Sequence, residues 1–206
     1  MFEFFTAGGP FMILLLGTSI VGLAFIIERG LALRWGKVIP PDIETAVNKC
    51  HVPDDLSQLR QTCQARPSTF SRLLLTAQDH LQRPRQENLD AIETRARHEV
   101  LQLERGLVVL EIVVGIAPLL GLVGTIHGLI RLFGDLSKAG LADNSVLAGG
   151  IAIALNTTLM GLLIAIPSLV AWSYYNKKVE TLTIEMETLC DEFLRRFYSG
   201  PNKAKA

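Results

Sequence analysis

The 206-residue chain lacks any lysine or arginine ahead of its first apolar block, since Met1 to Gly9 contains Glu3 and no basic residue. A secretory signal peptide needs a basic n-region, so this absence leaves an uncleaved transmembrane helix as the reading of that block. Cysteine is scarce. Cys50, Cys63 and Cys190 show no metal-ligand spacing and read as ordinary unpaired thiols. No glycine loop able to cradle a phosphate is present, and His51, His80 and His98 are scattered without paired ligands. Neither an enzyme nor a cofactor or metal site is therefore expected. An excess of one charge is missing as well: 20 basic residues balance 20 acidic ones, which gives no nucleic-acid surface.

Long apolar runs are what the chain has in quantity. It is 49% hydrophobic with mean hydropathy +0.33, and its charges crowd into Lys37–Arg105 and Lys177–Lys205. Between them lie three nearly uncharged blocks: Pro10–Ile27, Gly106–Phe133 and Val146–Tyr175. A run of ~20 apolar residues suffices for a helix to cross the hydrocarbon core. The expectation is an all-α membrane protein with three transmembrane helices. Its segments are helix one within 1–36, a polar segment 37–105, helix two at 106–133, a short link 134–145, helix three at 146–176 and a tail 177–206.

Basic residues near the helix ends set the orientation. Arg29, Arg34, Lys37, Arg105, Lys177 and Lys178 flank one side. The other side offers Lys138 in the link, with Arg131 just inside the preceding block. The N-terminus is thus expected outside and the C-terminus inside, with the link periplasmic. The polar segment and tail, with all three cysteines, then fall in the cytoplasm, where thiols stay reduced.

Pro40, Pro41, Pro53, Pro67 and Pro84 cut the polar segment into short helices. From Gln86 no proline intervenes until Pro118, and Leu89, Ile92, Ala96, Val100, Leu103 and Leu107 recur at helical spacing. Helix two is expected to start in the cytoplasm and run unbroken into the membrane. Leu182, Met186, Leu189, Phe193 and Phe197 form a similar seam beyond helix three. Its expected use is packing of neighbouring helices or subunits, with membrane-surface binding as the alternative.

Two polar clusters interrupt the spans. In helix two, Gly121, Gly124 and Gly128 follow i, i+3, i+7 with Thr125 beside them. In helix three, Ala154, Thr158, Gly161 and Ala165 share a face near Asn156 and Thr157. Small residues allow close helix approach, and the hydroxyls either bond across that contact or line a wet path. Pro118 and Pro167 each free a carbonyl four residues upstream, Val114 and Leu163, and mark candidate kinks.

These residues carry a resemblance. Pro118 to Gly128, with its Gly-Leu-x-Gly-Thr-x-x-Gly, resembles the ExbB/TolQ/MotA proton-channel family. So do Gly150 to Pro167, Ile26-Ile27-Glu28-Arg29 with Leu33, and the approach Leu103-Glu104-Arg105-Gly106-Leu107. The similarity spans most of the chain apart from parts of the polar segment and tail. Three helices rather than four bring it nearer ExbB and TolQ than the flagellar stator protein. The resemblance implies a multi-pass protein of the bacterial inner membrane, arranged as a homopentamer around two helices of an ExbD/TolR-like partner. That partner supplies a membrane aspartate, and proton flow is turned into mechanical work on the envelope or transport across it. Thr125 and Thr158 match the family's pore-lining hydroxyls.

Two positions depart from the pattern. Ile153 stands where ExbB and TolQ carry a glutamate, and His127 where they usually carry tryptophan. Losing the glutamate removes one stop on the proton path. His127, ionisable at membrane depth, becomes a pathway candidate beside the two threonines, with a neutral histidine that bonds a neighbouring helix or faces the outer interface as the alternative. Glu111, near the inner end of helix two, is read as interfacial, with a proton-path role as the alternative. The rival functional class is a non-conducting scaffold that anchors a single-span partner. A free-standing transporter fits less well, because three helices enclose little space.

Overall fold

The computed structural model describes residues 9–50, 55–139 and 144–198, and all regular secondary structure among them is helical. The helices are α1 (Gly9–Ala32), α2 (Trp35–Val38), α3 (Pro41–Lys49), α4 (Asp55–Ala65), α5 (Thr69–Asp79), α6 (Arg85–Glu104), α7 (Leu107–Ala139) and α8 (Asn144–Tyr198). They form two compact units. One holds the residues up to Arg29 together with Gly106–Tyr174, and the other holds Gly30–Arg105 and the residues from Tyr175 onward. His51, Pro53, part of the expected outer link and the tail beyond Tyr198 lie outside the described residues, as does the side chain of Lys138.

The first unit is the membrane unit. Three helices are long and apolar enough to cross a bilayer, over Pro10–Ala32, Leu107–Ser137 and the stretch from Leu147. Within their most apolar windows no more than 33% of residues are buried in the protein. Ile13, Leu23, Leu119, Ile130 and Val170 instead point outward. In water that exposure is unfavourable, whereas in lipid tails it costs nothing. The small core is Met12 and Leu15 of α1, Val113 and Ala117 of α7, and Ile164 and Ala165 of α8. A Cβ on Gly22 would lie 3.3 Å from both Val113 Cγ1 and Ser168 Oγ, so α1 seats against α7 and α8 at one glycine. Pro118 and Pro167 both lie inside continuous helices.

The expected unbroken run of helix two is interrupted. Arg105 and Gly106 are turn residues between α6 and α7. The cause is local: glycine is a poor helix former, and a Cβ at position 106 would overlap the Arg29 side chain. Periodicity alone hid the break, because Leu103 and Leu107 keep the helical spacing across it. At the far end α7 continues to Ala139, past the expected end of the span.

The second unit is an extramembrane bundle. Val38, Ile39, Ile43, Phe70, Leu73 and Leu74 share its core with Leu182, Met186, Leu189 and Phe193 of α8. Phe197 packs against its edge. The seam beyond helix three is thus spent on the chain's own loop helices. Helix α5 starts with a capping box, in which Ser68 Oγ accepts the Ser71 N–H at 3.1 Å and Ser71 Oγ accepts the Ser68 N–H at 3.2 Å. A buried ion cluster fixes α5 to α6. Glu99 is fully buried; it accepts from Arg72 Nε at 2.7 Å, from Arg72 Nη2, and from Arg95 Nη2 at 2.8 Å. At the other end of α6, buried Asn88 donates to the Ala77 carbonyl at 3.0 Å and to the Tyr198 hydroxyl at 3.2 Å. Tyr198 lies within bonding distance of the His80 and Arg83 carbonyls, tying the end of α8 to the α5–α6 turn.

All three cysteines are free and buried in this core. Burial pushes the Cys63 thiol up to about 11. Burial, aided by Glu187, pushes Cys190 up to about 12. Cys50 is raised by burial and Asp55, with Arg196 opposing.

Candidate functional site

The two polar clusters meet where α7 crosses α8. Glycines make the approach possible, because the backbones come closer than side chains would permit. A Cβ on Gly121 would lie 2.9 Å from the Thr157 carbonyl oxygen and 3.0 Å from Thr158 Cα. A Cβ on Gly161 would lie 2.6 Å from the Ala117 carbonyl oxygen. Gly124 faces Thr157, with 3.0 Å to its Cβ, and Gly128 faces the Ala154 Cβ at 3.2 Å. Ala154 and Ala165 are buried.

Three hydroxyls and two carbonyls occupy the centre of the crossing. The Ala154 carbonyl is within reach of Thr157 Oγ1 at 2.6 Å and Thr125 Oγ1 at 3.0 Å. The Gly121 carbonyl is within reach of Thr158 Oγ1 at 3.2 Å and Thr157 Oγ1 at 3.3 Å. Thr125 and Thr158 also bond hydroxyl to hydroxyl. Each hydroxyl has one proton to donate and two lone pairs, so the cluster can rearrange its donors without breaking the packing. Burial separates the members. Thr157 is 1% exposed, whereas Thr125 and Thr158 are half-buried at the edge of the crossing.

The structure thus brings Thr125, Thr158, Gly121, Gly124, Gly128, Ala154 and Gly161 together at one helix crossing. His127 is half-buried beside them on α7, and its ring stands edge-on to Phe11 of α1 with centroids 5.4 Å apart. Ile153, in place of the family's glutamate, is 42% exposed. The hub of the crossing, Thr157, was not singled out by its sequence. The signal was present: Gly150, Ala154, Thr157, Gly161 and Ser168 form a second small-residue stripe at helical spacing. Among the described residues no group of three metal-ligating side chains converges.

This fold and this crossing define a polytopic α-helical membrane protein whose spans are joined by a glycine-lined contact with hydroxyls at its centre. The model of the MotA/TolQ/ExbB proton channel family matches residues 65–188, and the chain belongs to that family. The ExbB-like biopolymer transport protein 1 of a Synechocystis species is 35% identical over 82% of this chain and 67% of its own length. The ExbB homologue of Methanothermobacter thermautotrophicus is 32% identical over 86% of this chain, which spans 63% of that relative. The Tol-Pal system protein TolQ of Haemophilus influenzae is 26% identical over 88% of this chain and 85% of its own. The family is a class of proton-channel subunits for energy transduction in the envelope and is not an enzyme class. With three helices able to span a membrane, the chain is a multi-pass inner-membrane protein.

Proposed function

We propose that this chain is the ring-forming subunit of an ion-driven envelope machine. Copies of it, five by the family resemblance, surround a single-span ExbD/TolR-like partner whose membrane aspartate carries the proton. Thr125 and Thr158 line the path, and His127 stands beside it. The work delivered is mechanical action on the envelope or transport across it.

One observation supports this most directly: the division of labour among the three threonines. Thr157 takes the buried bonds of the crossing, while the Thr125–Thr158 pair sits at its half-open edge. A hydroxyl there can donate to a carboxylate or accept from a carboxylic acid, so it accompanies both states of a passing aspartate. Bare charge at mid-membrane would otherwise cost a few kcal/mol or more.

Proton flux into proteoliposomes tests the reading. The ring alone should dissipate a pH gradient little faster than empty liposomes, since no carboxylate lies in the central third of any span. The ring with its partner should conduct, and changing the partner's aspartate to asparagine should abolish the gain. Thr125→Val and Thr158→Val should assemble but conduct poorly, whereas Thr157→Val should lower stability more than flux. Assembled Thr125→Val and Thr158→Val rings that still drive normal work would leave the non-conducting scaffold. Fast flux through the ring alone that vanished in His127→Gln would make His127 the carrier.

A further inference from the structure

We infer that Glu111 is the acid that releases protons from this path to the cytoplasm, a role that rests on the channel reading of Thr125 and Thr158. Glu111 lies on α7, one turn inside the apolar span that begins at Leu107. It is exposed on the protomer and makes no hydrogen bond or ion pair among the described residues. An unpaired carboxylate facing lipid tails is unfavourable. Its surroundings are therefore expected to be wet.

Its position on the helix decides which surface it occupies. Fourteen residues separate Glu111 from Thr125, just under four turns, which brings the two to within about 40° of one direction and about 21 Å apart along the axis. In direction, Pro118 lies in the stripe between them, Leu122 and Gly115 lie on the other side of Glu111, and a Cβ on Gly115 would have nothing within 4 Å. The large outward-facing residues Ile112, Ile116, Leu119, Val123 and Ile130 project to one side of this stripe. Leu110, Val113, Ala117, Gly121 and Gly124, which pack inside the protomer, project to the other. Glu111 thus lies on the border between the packed sector and the lipid-facing one, which begins at Leu122 about 20° away, and Thr125 lies about 40° from it on the packed side of that border.

On α1 the titratable groups at this end are Glu28 and Arg29, which pair with each other at 2.5 Å. Helix α8 has no ionisable side chain from Leu147 to Ser173. The step balances simply. A proton driven inward by the ion gradient and carried by water in the path protonates the Glu111 carboxylate. The resulting acid loses it to cytoplasmic water, which regenerates the carboxylate.

The assembled complex with its partner, reconstituted with a pH-sensitive dye, tests the assignment. Glu111→Gln should lower proton flux about tenfold or more, the scale of a lost acid–base group. It should also remove one titration from the dependence of flux on cytoplasmic-side pH, and Glu111→Asp should restore both. A Glu111→Gln complex that conducts with the wild-type pH profile overturns the inference while leaving the channel reading intact. Equal damage by Glu111→Gln and Glu111→Asp, with fewer subunits per complex, overturns it in favour of a structural ion pair with a neighbouring copy. Normal flux in Thr125→Val strikes the channel reading itself.

Discussion

Thr157 of α8 reaches the Gly121 carbonyl of α7 at 3.3 Å, and its own carbonyl oxygen stands 2.9 Å from where a Cβ on Gly121 would be. One residue both bonds to the opposing helix and forbids it a side chain. The small residues and the hydroxyl are therefore one device, since the bond is reachable only because the glycine lets the backbones close.

Gly121→Ala and Gly161→Ala should each destabilise the membrane unit by about 1–3 kcal/mol, the usual cost of overpacking against backbone that cannot move aside. Gly134, with nothing within 4 Å of its Cβ position, is the control. Gly134→Ala should leave stability unchanged or raise it by up to about 1 kcal/mol through helix propensity. Thermal unfolding of the detergent-purified protein separates these outcomes, and equal loss from all three would contradict the packing described.

Glu99 makes the extramembrane unit sensitive to a single charge. Glu99→Gln removes the buried carboxylate that Arg72 and Arg95 share; because solvent reaches both guanidiniums, the loss should be about 1–3 kcal/mol, the scale of charged hydrogen bonds, rather than that of a fully buried pair. Hydrogen exchange in α5 and α6 should rise sharply in this variant. Replacing Arg72, Arg95 and Glu99 together by apolar residues of similar size should restore most of the protection. Failure of the triple variant to recover would mean the cluster contributes more than pairing.

The cysteines give a pH signature. At pH 8 a thiol held up at about 11 is ionised about a hundredfold less than one at its ordinary value of 9.0. Cys63 and Cys190 should thus resist alkylation until the chain unfolds. The fold favours the neutral thiol, so this contribution is fully present below pH 9. Above it, thiols of the unfolded chain ionise first, and stability should fall as pH rises from 9 through about 11. Rapid alkylation of the native protein at pH 8 would contradict the burial.

Topology is checked by amine labelling of intact spheroplasts. A membrane-impermeant reagent should modify Lys138 and spare Lys37 and Lys177, both of which are exposed on the protein. Labelling of Lys37 from outside would reverse the orientation inferred from the basic flanks.

The spans and both apolar seams were legible because each is a repeated pattern, and burial rewards repetition. Leu182, Met186 and Phe193 announce a buried face from sequence alone. Glu99 does not, since it lies among Glu93, Arg95 and Arg97 on a helix that reads as solvated, and its burial depends on Arg72, 27 residues away. Thr157 and Thr158 differ by one residue and about 100° of rotation, so a stripe of small residues accommodates either. Only the crossing geometry decides which becomes the hub. The Arg105–Gly106 break escaped for the opposite reason: the leucines on either side keep a helical rhythm that the backbone does not.

Because the extramembrane core is completed by Leu182, Phe193 and Leu194, it cannot close when its first helices leave the ribosome. Roughly ninety residues separate α6 from Phe193, and at about 5–20 residues per second that delay is on the order of 5–20 s. In this interval α7 and the apolar part of α8 must enter the bilayer, while α2 to α6 wait with an uncovered apolar face. Insertion thus precedes folding of the extramembrane unit, and a chain stalled in the translocon presents that face to chaperones and proteases. Completion of the extramembrane unit is therefore set by the arrival of α8.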